Sequence, residues 1–202
     1  MPTPTAQPKT TMAIQFLLAG AERGEAGLYV SLEEGPEHLI ASATALGLPL
    51  QDAVDRGLVD VLFVSRENIR IGEFLTVLAD KLTASKASRV VIDAITHMMN
   101  ERFGIDELRH VLYKLAARFK ALDVTSLFTL EASSLYATEI VTERSLSPVA
   151  DNLLMLRYRE TGGQLLSMLT VVKTRGSDHD RRAHRLSIGP GGVIVMPAEA
   201  AT

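Results

Sequence analysis

Helical and strand patterns alternate along most of this chain, and this alternation constrains its fold more than any other feature. The patterns predict helix 10–22, strand 28–32, helix 36–46, short helix 50–56, strand 61–64, helix 71–84, strand 89–95, helix 106–122 and strand 124–130. This order is typical of an α/β protein whose mostly parallel sheet is flanked by helices. Further strands are expected at 152–158 and 165–174, and the glycines at 189–192 predict the turn of a C-terminal antiparallel hairpin. Asp106 is expected to cap the helix that follows it.

Composition limits the class of protein. The 202 residues are 47% hydrophobic, which is enough for one globular domain with a substantial core. A net charge of −3 provides no general basic field for nucleic acid. The lack of cysteine excludes disulfides and zinc–thiolate sites and is typical of a reducing compartment. Because no leader-like segment and no apolar run of about 18 residues is present, we predict a cytoplasmic protein without membrane contact.

Acidic residues lie at or just beyond the carboxyl ends of three of the predicted strands. Glu33 and Glu34 follow the first strand, Asp93 lies in the strand at 89–95, and Glu131 follows the strand at 124–130. Each is a weak signal alone, since a Glu–Glu pair is usually a solvated turn. Ligands of open parallel sheets bind beyond the carboxyl ends of the strands, so the three positions together predict one site.

The segment TPTAQPKT at residues 3–10 resembles an altered phosphate-binding loop. In the pattern G-x-x-x-x-G-K-[ST], glycines allow backbone N–H groups to surround a phosphate at a helix N-terminus. Thr3 and Pro8 occupy the two glycine positions, and Pro8 also lacks an N–H. Lys9 is retained as a charge for the β- and γ-phosphates, and Thr10 as a Mg²⁺ ligand. The alternative interpretation is that Pro8 is merely the first residue of a helix.

Hydrolysis of a nucleotide requires a metal, an oriented water and often an arginine near the γ-phosphate. Asp93, directly or through a water molecule, and Thr10 are expected to hold Mg²⁺. One of Glu33 and Glu34 is expected to activate the water, because neighbours on an extended segment face opposite ways. Lys173 and Arg175 are two residues apart on a predicted strand and therefore face the same side, where together they approach a phosphate or, alternatively, form an exposed polar stripe.

Seven stretches occur in the order and at the spacing of one protein family. They are KTTMAIQFLLAG, LYVSLEEGPEHLI, RVVIDAIT, DVTSLFTLE, VADNLLMLRY, VVKTRGSDH and GGVIVMP. On these stretches the chain resembles a single domain of the KaiC family of RecA-like ATPases over roughly residues 9–196. The resemblance implies ATP and Mg²⁺ as ligands, a Walker B role for Asp93 and a catalytic role for Glu33 or Glu34. It also implies a hexameric ring in which Lys173 and Arg175 reach the ATP of the neighbouring subunit.

The same resemblance places Lys9, Thr10, Thr11, Asp93 and Glu131 around the nucleotide. It also identifies a departure, because family members have an interior strand before the phosphate loop. We expect that first strand to be missing here, which leaves either a gap near 10 Å, about two interstrand spacings, or a changed register. The predicted organisation is a degenerate loop or tail at 1–8, an ATPase domain at 9–197 and a tail at 198–202.

The sequence is compatible with three functions. The first is an ATP-binding, Mg²⁺-dependent ATPase domain of a signalling or regulatory ring, impaired by loss of the loop glycines, with an unidentified signalling protein as partner. The second is a non-hydrolysing oligomerisation or interaction module that keeps the RecA-like fold. Nucleic-acid binding has only a few local arginines near residues 175–185 in its favour and is disfavoured.

Overall fold

The computed structural model describes residues 7–65, 70–99, 104–131 and 148–197. Residues 3–6 of the altered loop and the predicted tail at 198–202 therefore lie outside the described residues. The elements, in chain order, are α1 (Pro8–Ala21), β1 (Gly27–Ser31), α2 (Pro36–Ala45), α3 (Leu50–Asp55), β2 (Val59–Phe63), α4 (Ile71–Ser85), β3 (Arg89–Asp93), a 3₁₀ turn (Ile95–Met98), α5 (Ile105–Ala121), β4 (Thr125–Phe128), β5 (Asn152–Thr161), β6 (Gln164–Thr174), β7 (His184–Gly189) and β8 (Gly192–Val195). The predicted α/β class with an antiparallel C-terminal part is confirmed.

The first four strands form a parallel sheet in the order β2-β1-β3-β4. Its register aligns Ser31 of β1 with Asp93 of β3, and Ile92 of β3 with Phe128 of β4. The carboxyl ends of the central strands therefore lie at one level. The acidic residues that follow these strands consequently meet at one edge of the sheet.

Both faces of this sheet are buried, which explains the unbroken apolar runs of its strands. Because side chains alternate between faces, Val30 and Ile92 pack with α4 and α5 on one side. Tyr29 and Val91 pack with α1, α2 and α3 on the other side. The helix that carries Lys9 and Thr10 is thus pressed against the face to which Asp93 belongs.

The remaining strands form a separate antiparallel sheet in the order β5-β6-β7-β8. Within the described residues, no strand pairs with the outer edge of β4 or of β5. The side chain of Gln15 in α1 joins the second sheet to the first: its Nε2 donates to the carbonyl oxygens of Gly191 and Val193, and its Oε1 accepts the Val193 N–H at 2.9 Å.

Three local predictions need correction. Helix α5 is capped at Gly104, whose N–H donates to the Glu107 carboxylate at 3.0 Å, while Asp106 lies inside the first turn. Strand β3 ends at Asp93 because the chain then turns, and the N–H of Ile95 donates to the Thr129 carbonyl beyond β4. Helix α1 begins two residues earlier than predicted, with Pro8 as its first residue. A proline is suited to that position because its fixed φ is helical and its missing N–H would have no partner there.

No helix in the described parts of the chain is both long and apolar enough to cross a bilayer.

Candidate functional site

The first turn of α1 contacts the end of β3. The Thr10 hydroxyl donates to Asp93 Oδ2 at 2.8 Å, although the two residues are 83 positions apart in the sequence. At the other end of the same strand, the Arg89 guanidinium donates to the Phe16 carbonyl at 2.8 Å and to Glu25 at 2.6 Å. Helix α1 is therefore held along β3 at both ends, which fixes where Thr10 lies.

Two more hydroxyls bind Asp93. The Tyr29 phenol of β1 donates to Oδ2 at 2.5 Å, and the Thr129 hydroxyl, just after β4, donates to Oδ1. Tyr29 is fully buried, and burial raises its pKa well above the usual range, with the charge of Asp93 as a second cause. The phenol is thus a permanent donor. Sequence patterns did not point to Tyr29 or Thr129, since both stand in apolar strand-like segments where neither is distinguished from a core residue.

A hydroxyl also shapes the turn that carries the paired acids. Ser31 Oγ donates to the Glu34 carbonyl at 2.6 Å and accepts the Glu34 N–H at 3.0 Å. Glu33 and Glu34 line one cleft together with Thr10 and Asp93. The predicted juxtaposition of these four residues is therefore present in the structure.

The two glutamates differ in surroundings. Glu34 also borders an adjoining cleft between α1 and α2, which Thr11 and Ser42 line as well. Partial burial, followed by the charges of Glu33 and Asp93, raises the pKa of Glu34. Glu33 instead lies 3.9 Å from Nε2 of His97, an ionic contact when the imidazole is protonated.

Lys9 is bound within the chain. Its Nζ lies 3.0 Å from Glu131 Oε1 and 3.5 Å from the Leu130 carbonyl. The hydrogen bond from Lys9 is the main reason that the pKa of Glu131 is lowered. His97 Nε2 lies 3.8 Å from the other oxygen of Glu131, so the imidazole stands between Glu131 and Glu33.

Thr11 is placed differently from Thr10. It is buried, and its hydroxyl donates to the Gln7 carbonyl one turn earlier at 3.0 Å. Its side chain thus closes the first turn of α1 and borders the cleft between α1 and α2.

Lys173, near the end of β6, and Arg175, just after β6, lie together beside the start of β5. Lys173 donates to the Ala150 carbonyl at 2.9 Å, and Arg175 donates to Asp151 at 2.9 Å. Lys120 approaches the other oxygen of Asp151 at 2.8 Å and is the main cause of its lowered pKa. Neither Lys173 nor Arg175 is among the described residues that line the cleft with Thr10 and Asp93.

The donor set fits a magnesium ion. Mg²⁺ prefers oxygen ligands in an octahedron at about 2.0–2.1 Å, which puts adjacent ligand oxygens about 2.9 Å apart. Thr10 Oγ1 and Asp93 Oδ2 are separated by 2.8 Å. The hydroxyl keeps lone pairs free while its proton is donated to Asp93, so both oxygens can face one cation.

Comparison with known proteins gives a consistent result. Residues 5–200 match the family described as ATPase: KaiC. The circadian clock protein KaiC3 of Synechocystis sp. is 28% identical over 188 residues, which are 93% of this chain and 37% of that protein. The circadian clock oscillator protein KaiC of Nostoc sp. is 29% identical over 95% of this chain and 38% of its own length. This chain therefore spans little more than a third of those clock proteins.

A solved structure shows the same fold. The crystal structure of a KaiC-like protein from the hyperthermophilic archaeon Pyrococcus horikoshii OT3 superposes with a TM-score of 0.76 at 28% identity. The match covers 96% of this chain and 86% of that one. The predicted family resemblance and the predicted RecA-like fold are both confirmed.

Proposed function

Because the chain belongs to the KaiC ATPase family, we propose that it is an ATP-binding, Mg²⁺-dependent ATPase domain of a signalling or regulatory ring assembly. The contact between Thr10 and Asp93, in a cleft that Glu33 and Glu34 also line, carries this proposal. Four side chains from three separate segments converge there with the chemistry that a metal-bound triphosphate requires.

The residues around α1 would bind the nucleotide. Thr10 and Asp93 would hold Mg²⁺, which would neutralise charge on the phosphates. The first turn of α1 contains no acidic residue, so the positive end of the helix dipole is available to phosphate oxygens. Lys9 exchanges Glu131 for a phosphate when the nucleotide arrives, because its present ion pair is partly exposed and therefore weak.

Glu34 is the better candidate for the general base. Glu34 borders both clefts, and its raised pKa makes its carboxylate a stronger proton acceptor than that of an ordinary glutamate. Glu33 lies next to His97, and this contact favours a role for Glu33 in stabilising the turn after β1. In this assignment the water proton passes to the Glu34 carboxylate as the water oxygen bonds to the γ-phosphorus. The bond from the γ-phosphorus to the β,γ-bridging oxygen breaks, and ADP leaves with that electron pair.

The altered loop is expected to weaken activity. Pro8 supplies no N–H at the start of α1, and Glu131 competes with phosphate for Lys9. The same ion pair favours the second candidate function, a non-hydrolysing interaction module, because it neutralises Lys9 without any nucleotide. The partner in either case would be a signalling protein.

Thermal unfolding in a concentration series of Mg-ATP separates these functions. Nucleotide at about 100 times its dissociation constant should stabilise an ATP-binding domain by about 2.7 kcal/mol. Asp93→Asn should lose the magnesium-dependent part of this stabilisation, whereas Asp52→Asn, an exposed control on α3, should retain it. A melting temperature that stays constant across the whole ATP series would contradict ATP binding and support the interaction module.

A further inference from the structure

We propose that Tyr29 is a positioning residue for the magnesium site, which it serves by fixing the carboxylate of Asp93. This inference rests on the proposed function and adds a residue from a different strand to it. Tyr29 also lines the cleft that Thr10 and Asp93 line, but it carries no charge there, and its hydroxyl donates to Asp93.

The three hydroxyls around Asp93 differ in what else they must do. Thr10 is itself the predicted metal ligand, so its oxygen has to serve both Asp93 and the cation. Thr129 lies just after the end of β4, and it binds the other carboxylate oxygen. Tyr29 stands within β1 and has no solvent-exposed surface. Of the two hydroxyls that donate to Oδ2, the Tyr29 hydroxyl is therefore the one that does not also have to bind the metal and that core packing holds in place.

A carboxylate needs such a constraint. The terminal torsion of an aspartate side chain is broad, so without donors Oδ2 would sample many directions. The Tyr29 ring is clamped on the α1 side of the sheet, among residues such as Ile14, Leu17 and Leu39. Its hydroxyl accordingly reaches Asp93 from a fixed point, at 2.5 Å, across the pair of adjacent strands β1 and β3. Oδ2 is then held next to Thr10 Oγ1 at the spacing that suits magnesium.

The experiment measures nucleotide affinity by calorimetry with Mg²⁺ and again with EDTA. Tyr29→Phe removes only the hydroxyl, and Tyr113→Phe removes the same atom from an exposed position on α5. We expect Tyr29→Phe to weaken magnesium-dependent binding about 10- to 100-fold, as is typical for loss of a group that orients a metal ligand. Binding in EDTA should remain within about twofold of the unsubstituted chain, because the ring still fills the core. Tyr113→Phe should leave both values unchanged.

A purely structural role predicts a different pattern, in which Tyr29→Phe weakens binding equally with and without Mg²⁺. That pattern would overturn the inference, as would an affinity in Mg²⁺ that changes by less than about twofold. A second measurement uses the Asp93→Asn background, where Tyr29→Phe should no longer alter binding because there is no carboxylate to position. If the unsubstituted chain itself shows no magnesium-dependent binding, the proposed function fails and the role of Tyr29 with it. If the unsubstituted chain and Tyr29→Phe bind nucleotide equally well in Mg²⁺, only the role of Tyr29 is refuted and the proposed function stands.

Discussion

At the scale of single residues, the site depends on hydroxyl groups that form hydrogen bonds with acidic residues. Ser31 closes the turn after β1 with two hydrogen bonds to Glu34, and Asp93 accepts three hydroxyl donors. The three bonds to Asp93 are charge-assisted, and such bonds orient a carboxylate more firmly than surface ion pairs do. The Asp93 carboxylate is therefore fixed in place before any ligand binds, whereas Ser31 fixes the backbone of Glu34.

Two isosteric substitutions test which glutamate is the base. Glu34→Gln should lower kcat for ATP hydrolysis by about 10²- to 10⁴-fold, because the amide cannot accept the water proton. Glu33→Gln, the matched control, should cause a smaller loss. Steady-state phosphate release gives both values, and a larger loss in Glu33→Gln would assign the base to Glu33 instead.

The raised pKa of Glu34 gives a pH dependence with a defined sign. The base is active when deprotonated, so kcat should fall as the pH is lowered through the pKa of Glu34. Since burial and the charges of Glu33 and Asp93 raise that pKa, this acidic limb should lie above the usual range of glutamate. Glu33→Gln removes one of these charges and should move the limb towards lower pH. A limb that stays in place in Glu33→Gln would show that another group titrates.

At the scale of secondary structure, α1 positions the site because it is attached to both sheets. Arg89 crosses the helix where Gly20 leaves room: a Cβ at Gly20 would lie 2.6 Å from the Arg89 side chain. The guanidinium also lies 4.9 Å from the centre of the Phe16 ring. Gln15 of the same helix binds Gly191, in the turn before β8, and Val193 of β8. Because α1 is attached to both sheets, the positions of the two sheets determine where Lys9 and Thr10 lie.

Loss of the Arg89 anchor should be costly. Arg89→Met is expected to lower the free energy of unfolding by about 2 kcal/mol, since it leaves the Phe16 carbonyl and Glu25 without their donor. Arg56→Met, which breaks an exposed pair with Asp52, should cost at most about 0.5 kcal/mol. Urea denaturation compares the two variants, and equal losses would show that Arg89 does not anchor α1.

The junction of α1 with β8 requires a glycine. Gly192 has a φ of +98°, and a Cβ there would come within 2.7 Å of the Gln15 side chain. Gly192→Ala should therefore destabilise the protein by about 1–3 kcal/mol, through backbone strain and displacement of Gln15. Gly189→Ala is the control, because a Cβ at Gly189 meets nothing within 4 Å. Differential scanning calorimetry of the two variants should show a clear fall in melting temperature only for Gly192→Ala.

At the scale of the whole molecule, the basic pair lies apart from the cleft. Arg175 binds Asp151 of its own chain, but its side chain is 55% exposed, so this pair contributes little and can be exchanged. A finger that acts between subunits needs such an accessible, weakly held arginine. Head-to-tail interfaces, which close into rings, would bring it to the neighbour's nucleotide.

Mixing two inactive variants tests this arrangement. Arg175→Ala and Glu34→Gln should each hydrolyse ATP slowly, because each lacks one part of a shared site. After mixing and reassembly, interfaces that combine an intact Glu34 with an intact Arg175 from the neighbour should restore measurable hydrolysis. Rates that never exceed the mean of the separate variants would indicate that Arg175 does not act across an interface.

The sequence alone determined the order of the elements and the edge of the sheet where the acids meet. Helical and strand periodicities are local properties, and parallel strands bring their carboxyl ends to one edge whatever the connecting loops do. For that reason Glu33, Glu34 and Asp93 were predicted to lie together, and Lys9 and Thr10 were linked to them by motif.

Only the tertiary structure decided which groups touch. No periodicity marks Tyr29 as a partner of Asp93, because both faces of β1 are buried and every position there looks like core. The pairing of Lys9 with Glu131, the cap at Gly104 and the division into two sheets likewise depend on register and packing between distant segments. Such contacts are decided by how elements fit against each other, and a linear pattern carries no record of that fit.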